Sequence, residues 1–434
     1  MPRGSSRRQF LQTTAAAGVG FWVAGGVRAQ DSKSSLEQIQ FACVGIAGKG
    51  SSDSGDAAQS GNIVAICDID ENRLNGATNR KGFEKAEKFF DFREMLDKMG
   101  DRIDAVTVST PDHTHAPASV MAMRMGKHCF CQKPLTHSLF EARTMAKVAR
   151  EKGVATQMGN QGTANDNLRK SAAIIRAGAL GAVKEVHVWT NRPIWPQGGD
   201  RPAEAAIPPH VKWDLFLGAA PYRPYANGYH PFAWRGWWDF GTGALGDMAC
   251  HTMNMPFFAL NLRDPISVVA ETSGHNKDSY PKWSIIDYEF AANDDRPAVS
   301  LRWYDGGKRP PRDMVGEDPA QSGALVVGEK GMLYSAHDYG GAYKLIGDVE
   351  EPKVEFTKSP GHFTEWVRAI KGEEPAMSNF PDYAGPLTET VLLGNLAVWA
   401  DGKKIEWDAK NLTATNAPEV AHVVKREYRD GYTL

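Results

Sequence analysis

The chain has 434 residues, of which 42% are hydrophobic and 24% charged; this is the composition of a folded globular protein with room for two domains. Lys and Arg number 50 against 52 Asp and Glu, a formal charge of -2. That balance lacks the basic excess that nucleic acid or an anionic membrane surface selects, so the expected partner is a small molecule and not nucleic acid.

The first 29 residues read as a targeting segment. Ser6-Arg7-Arg8-Gln9-Phe10-Leu11 fits the twin-arginine signal pattern, a mildly apolar run extends from Ala15 to Val27, and Val27-Arg28-Ala29 offers small residues for cleavage after Ala29. An uncleaved anchor is the alternative, but the run falls short of the roughly 20 apolar residues a span needs. The expectation is an exported, periplasmic protein with no stable membrane insertion after processing. Residues 30–38 are a polar linker.

From residue 39 to 158, strand and helix patterns alternate. Ile39 to Val44 reads as a strand, followed by Gly45-Ile46-Ala47-Gly48-Lys49-Gly50 and a helix from about Ser52. Ile63 to Cys67 is a second strand ending at Asp68, and Lys88-Phe89-Phe90 a short third before the helix Arg93 to Met99. Ala105 to Val108 and His128 to Cys131 follow, each leading to a helix (Pro117 to Met125; Leu139 to Lys152). Such alternation predicts an α/β Rossmann domain with parallel strands. The Gly-x-x-Gly-x-Gly spacing departs from the usual Gly-x-Gly-x-x-Gly and alone would mark only a tight turn. A strand before it, a helix after it and an acid ending the next strand make it a pyrophosphate cradle. Asp68 then faces the ribose hydroxyls, and its charge repels a 2′-phosphate, so NAD is expected over NADP. Cys43, Cys67, Cys129, Cys131 and Cys250 sit in apolar runs and read as buried structural residues rather than a disulfide framework.

Three motifs carry a family resemblance: the glycine loop, Ser109-Thr110-Pro111-Asp112-His113-Thr114-His115, and Gly126-Lys127-His128-Cys129-Phe130-Cys131-Gln132-Lys133-Pro134-Leu135. Together they resemble the family of glucose–fructose oxidoreductase, inositol dehydrogenase and the rhizopine protein MocA. The resemblance implies that Ser109, Thr110, Pro111, His115 and Gln132 line the cofactor site and that Lys133 lies between nicotinamide and substrate. Gln132 replaces the family's usual acid before the Lys-Pro pair, so a charge near the nicotinamide is missing. His113 and His115 also form a His-x-His pair, but no third ligand is identifiable and no metal is expected; the role of His113 stays open.

Residues 159–434 are read as a C-terminal α+β domain with an open, mostly antiparallel sheet, as in the family, with strands and long loops from Val183 onward. Gly241-Thr242-Gly243-Ala244-Leu245-Gly246 leads into a helix on which Asp247 and His251, four apart, face one side. The resemblance points this helix into the cleft. Oxidising an alcohol by hydride loss needs a base for the hydroxyl proton. His251 is expected to be that base, with Asp247 orienting it or sharing a substrate hydroxyl and Lys133 polarising the oxygen. Trp189, Trp195, Trp213, Trp234, Trp237 and Trp238 crowd the preceding segment with Tyr222, Tyr225 and Tyr229. A flat apolar face with polar tips suits a pyranose, and His230, Trp234 and Arg235 are the expected substrate contacts beside Lys133, Asp247 and His251.

The expected function is an NAD(P)-dependent dehydrogenase acting on a sugar, glycoside or polyol, with cofactor held tightly because an exported enzyme has no soluble dinucleotide pool. Two alternatives stay open: a redox-neutral NAD-dependent glycosidase, and a non-catalytic sugar- or nucleotide-binding protein. The family's open sheet further implies a homo-oligomer, dimer or tetramer, that covers its apolar face.

Overall fold

The computed structural model describes residues 38–434; the twin-arginine segment read at residues 1–29 lies outside them, as do residues 30–37. Six strands, β1 (Ile39–Val44), β2 (Gly61–Cys67), β3 (Glu87–Phe89), β4 (Ala105–Val108), β5 (His128–Cys131) and β6 (Thr156–Met158), lie in the order β3-β2-β1-β4-β5-β6. Pairings β1–β4, β2–β3, β4–β5 and β5–β6 are parallel. The order reverses between β1 and β4, which opens a crevice at their carboxyl ends. Helices α1 (Lys49–Ser60), α2 (Glu71–Ala77), α3 (Phe92–Met99), α4 (Asp112–Arg124) and α5 (Leu139–Lys152) connect the strands. β4 is buried along its whole length, as a parallel strand covered on both faces must be.

One boundary differs from the sequence expectation. Helix α4 begins at Asp112, five residues before Pro117, so His113 and His115 lie in its first turns and not on a loop. A proline inside a helix normally orphans the carbonyl four residues back. Here that carbonyl belongs to His113 and accepts from Arg426 Nη2 at 2.6 Å, so the helix continues through the proline.

The second sheet has nine strands: β7 (Val183–Trp189), β8 (Ser267–Thr272), β9 (Ser284–Phe290), β10 (Val299–Tyr304), β11 (Gly323–Gly328), β12 (Gly331–Ala336), β13 (Lys344–Gly347), β14 (Ile405–Asp408) and β15 (Thr413–Ala414). Their order is β13-β12-β11-β7-β10-β9-β8-β14-β15. Only β7–β10 is parallel, so the sheet is mixed and mostly antiparallel. Strict alternation in β9 buries Ser284, Ile286, Tyr288 and Phe290 against the helical layer. The opposite face carries Trp189, Tyr304, Leu325 and Tyr334, touched by Val315, with Ile285, Val327, Met332 and Ile346 only half covered. The α-helices of five or more residues in this half are α6 (Asp166–Arg176), α7 (Trp213–Leu217), α8 (Gly243–Thr252), α9 (Asn254–Leu260), α10 (His362–Ile370) and α11 (Gly385–Trp399).

The aromatic segment before α8 forms a small core of its own from Trp213, Phe216, Tyr225, Tyr229, Trp234, Trp237 and Phe240. It is strapped across the first domain. Asp70 bridges to Val211, Glu71 N donates to His210 O at 2.8 Å, and Lys212 N donates to Ile69 O at 2.9 Å. Residues near 430 reinforce it from below: Arg429 Nε donates to Gly218 O at 3.0 Å and Arg93 Nη1 to Gly431 O at 2.9 Å.

Candidate active site

A single cavity of about 400 Å³ joins Gly45, Gly48 and Asp68 at one end to Lys133, Asp247 and His251 at the other. The glycine end is built by close approach. Gly45 has φ +77° and a Cβ there would fall 2.4 Å from the Ser109 carbonyl oxygen; a Cβ on Gly50 would fall 2.1 Å from the Gly45 carbonyl oxygen. The loop therefore folds tightly over the end of β1. Helix α1 has no side-chain cap and no acid in its first turn, so no side chain competes with an anion there, although Gly50 N and Ser51 N donate to the carbonyls of Ala47 and Gly48. This cradle fits the pyrophosphate of a dinucleotide.

Asp68, at the end of β2, accepts from Ile46 N and from Asp70 N, both at 3.1 Å. Burial pushes its carboxyl upward, opposed by Arg73 and by those two amide bonds. Its remaining lone pairs face the cavity, where they can take ribose hydroxyls. Arg73 stands 4.0 Å away.

At the other end, Lys133 Nζ donates to Asp247 O at 2.6 Å and to Asp247 Oδ1 at 2.9 Å; Arg235 Nε donates to the same carboxylate oxygen at 3.2 Å. Burial alone would raise Asp247, but the charges of Lys133 and Arg235 and the lysine's hydrogen bond outweigh it and hold the carboxyl at about 2. His251 is 4% exposed, and burial, reinforced by the charge of Lys133, drives its imidazolium form well below the ordinary histidine range. Its Nδ1 makes no hydrogen bond, and its ring meets Tyr339 edge to face at 4.8 Å. The expectation that Asp247 orients His251 is therefore corrected: Asp247 is committed to Lys133 and Arg235. What results is a neutral imidazole beside a fixed ammonium, the pairing that a proton acceptor and an oxygen polariser require.

Other residues fall differently from their expected places. His115 does not reach the cleft: its ring nitrogens lie 2.8 and 2.9 Å from the carbonyl oxygens of Pro134 and Thr110, and burial holds it neutral with a pKa of about 4. It staples together the two loops that carry Thr110 and Lys133. His113 is likewise buried, facing the carbonyls of Phe240 and Phe216 at 3.1 and 2.7 Å. Among the described residues no group of three or more His, Cys, Asp or Glu side chains is placed to hold a metal ion, and all five cysteines are free and buried. His230 lines the cavity at the Asp68 end, 3.4 Å from Asp70, and not beside Lys133. Trp234 and Arg235 do reach the substrate end, with the guanidinium 4.3 Å from the indole centroid. Trp195 lines the cavity as well, Trp213, Tyr225, Tyr229 and Trp237 pack in one cluster, and Trp189 and Trp238 stack on Tyr334 and Tyr280.

Several lining residues escape the sequence reading. Arg192 and Tyr339 come from loops far apart in the chain, and no local signal marks them. Asp112 stood inside a quoted motif without a role. It is buried, accepts from Thr242 Oγ1 at 2.5 Å, and is raised by burial to about 7 despite that bond and the nearby charges of Lys133 and Arg235.

Solved structures of other proteins share its fold. That of the WlbA dehydrogenase from Bordetella pertussis, in complex with NADH and UDP-GlcNAcA, superposes with a TM-score of 0.62 at 17% identity, over 86% of this chain and 99% of that one. Among curated proteins, an inositol 2-dehydrogenase of Rubrobacter xylanophilus is 35% identical over 21% of this chain and 25% of its own. A 1,5-anhydro-D-fructose reductase of Ensifer adhaerens is 31% identical over 49% of this chain and 53% of its own. The matches thus span about half or less of these relatives' length. Two family models complete the comparison: the oxidoreductase family's NAD-binding Rossmann fold matches residues 39–160, and its C-terminal alpha/beta domain matches residues 167–434. With the cradle, the strand-end acid and the Lys133 turn all inside the first match, and Asp247 and His251 inside the second, the chain belongs to the Gfo/Idh/MocA oxidoreductase family.

Proposed function

We propose that this protein oxidises a hydroxyl-bearing carbon of a sugar, glycoside or polyol to a ketone, with NAD held in the first domain. The observation that carries the reading is the continuity of one cavity from the glycine cradle to the Lys133–Asp247–His251 cluster. When bound, NAD supplies the hydride acceptor. Lys133, anchored by Asp247, presents its ammonium to the substrate oxygen and stabilises the charge that builds there. His251, neutral in its buried setting, takes the hydroxyl proton. Trp234 and the stacked Arg235 offer an apolar plane with a polar edge to the ring.

Purified protein is expected to carry dinucleotide in near-stoichiometric amount. Asp68→Ala should loosen NAD and weaken its preference over NADP. Mass spectrometry of the released cofactor and the melting temperature with added NAD or NADP measure this. Protein that releases none, and that NAD does not stabilise, refutes the reading.

A redox-neutral glycosidase is the second reading, and the strap over the Asp68 end favours it. Leu215, Phe216 and His230 of that segment line the cavity with Asp68, and a dinucleotide covered there suits a cycle that returns the hydride to its own substrate. Release of the aglycone from a chromogenic glycoside, without added NAD, separates the two. A purely binding role leaves the Lys133–Asp247 pair and the unbonded Nδ1 of His251 unexplained.

The same proposal places the mature protein beyond the cytoplasmic membrane, on the strength of the twin-arginine pattern. Among the described residues no helix is long and apolar enough to cross a membrane. It also makes the protein a homo-oligomer, because the half-covered residues Ile285, Val327, Met332 and Ile346 form one apolar sheet face. Light scattering should give a dimer or tetramer at micromolar concentration, and a monomer there would refute the assembly.

A further inference from the structure

Gln132 stands where the family pattern has an acid, and the structure shows what its amide does. Gln132 Nε2 donates to Asp53 Oδ2 at 2.8 Å. The same carboxylate accepts from Ser109 Oγ at 2.7 Å and from Lys49 Nζ at 2.6 Å, and Asp53 is 1% exposed. Three donors converge on one buried acceptor. Gly159 makes the geometry possible, since a Cβ there would fall 2.3 Å from the Gln132 amide nitrogen. A glutamate at 132 would set a second carboxylate oxygen against Asp53 in place of a donor. An acid at 132 and an acid at 53 therefore cannot both stay ionised at this contact without strong repulsion.

We propose that Asp53 is a positioning residue for the nicotinamide end of the cofactor, carrying on α1 the negative charge that the family pattern places before Lys133. It ties two cofactor-facing segments to α1, the end of β4 through Ser109 and the end of β5 through Gln132, while Lys49 pairs with it within the same helix. Gln132 precedes Lys133, whose backbone N donates to Gln132 Oε1 at 3.4 Å. The charge has a chemical sign. An oxidised nicotinamide ring is cationic and a reduced one neutral, so a nearby buried carboxylate favours the oxidised form, to the extent that its part-exposed Lys49 partner at 2.6 Å leaves the charge uncompensated. The inference rests on the dinucleotide reading above and adds to it a preference between redox states.

The test is the dissociation constant of NAD⁺ and of NADH, each by calorimetric titration of protein freed of endogenous cofactor, with melting temperature as a second readout. Asp53→Asn should weaken NAD⁺ by about tenfold, the scale of one lost charge interaction, and NADH by much less. Gln132→Glu alone should lower the melting temperature and loosen both forms. The double exchange Asp53→Asn with Gln132→Glu restores one carboxylate and one amide to the same contact and should bring the NAD⁺/NADH ratio back to that of the wild type. An unchanged ratio in Asp53→Asn overturns the proposal. If Asp53→Asn does not fold, the double exchange decides alone: a protein that fails to fold, or that folds without recovering the wild-type ratio, overturns it equally. Wild-type protein that binds neither form would instead sink the dinucleotide reading itself.

Discussion

His251→Asn is expected to slow hydride transfer about a hundredfold or more, the usual scale for losing a general base, while dinucleotide binding survives. The residue sits on α8, across the cavity from the glycine cradle, and its Nδ1 has no partner within the protein. An asparagine keeps approximate shape and polarity there but cannot accept the proton as an imidazole does. The pH profile adds a second signature. A base works in its unprotonated form, and burial with the Lys133 charge moves protonation of His251 to well below the ordinary 6.5. The wild-type rate should therefore stay level as pH falls through 6.5, where an unperturbed histidine would lose it. Single-turnover reduction of bound NAD by candidate sugars, followed by nicotinamide absorbance across pH, measures both. A near wild-type rate in His251→Asn would sink the mechanism.

Lys133→Met should be comparably damaging to turnover and should also destabilise the fold. Removing the ammonium leaves Asp247, which is 14% exposed in its side chain, with Arg235 alone. Breaking a buried pair from one side typically costs about 3–5 kcal/mol; the residual exposure and Arg235 discount this toward the lower end. The sign with pH follows from the depressed carboxyl of Asp247, at about 2 against an ordinary 3.8. Its pairing stabilises the native state above the ordinary value, and that contribution disappears as pH falls toward 2. Wild type and Lys133→Met should thus differ most in melting temperature near neutrality and converge in strong acid. Loss of the lysine also removes a charge that keeps His251 neutral, so the acid limb of the rate profile should move upward in pH. The double variant with His251→Asn should be little slower than the worse single one, because the two groups act on one oxygen. Additive losses would separate their roles.

Much of this was legible in the chain because it is encoded locally. Strand Ile39–Val44, the glycines after it and Asp68 form one contiguous supersecondary unit, so the strand, helix and acid around the glycines located the cradle. Asp247 and His251 share a helix, which placed them in one region. What the sequence misjudged depends on partners hundreds of residues distant. The start of α4 rests on Arg426 reaching the His113 carbonyl, and nothing near Pro117 announces it. His115 looked like a cleft residue because it follows a strand end, but the Pro134 carbonyl that occupies it comes from the next βα turn. Gln132 read as a lost charge, since Asp53 lies on another helix and becomes its neighbour only across the sheet. Aromatic density before α8 suggested a sugar platform; most of it proved to be the core of the strap.

The strap also bears on how the chain acquires its shape. Residues 205–240 and 426–432 are joined to the first domain by bonds such as Arg93 to Gly431 and Arg426 to His113, over sequence separations of 338 and 313. Such closures form late, since ordering a long loop precedes any reward from the contact it makes. A fragment of residues 39–160 holds every strand of the parallel sheet yet lacks the Arg426 that sustains α4 and the Val211 bridge to Asp70. The strap and the support of α4 are thus properties of the whole polypeptide rather than of its first half.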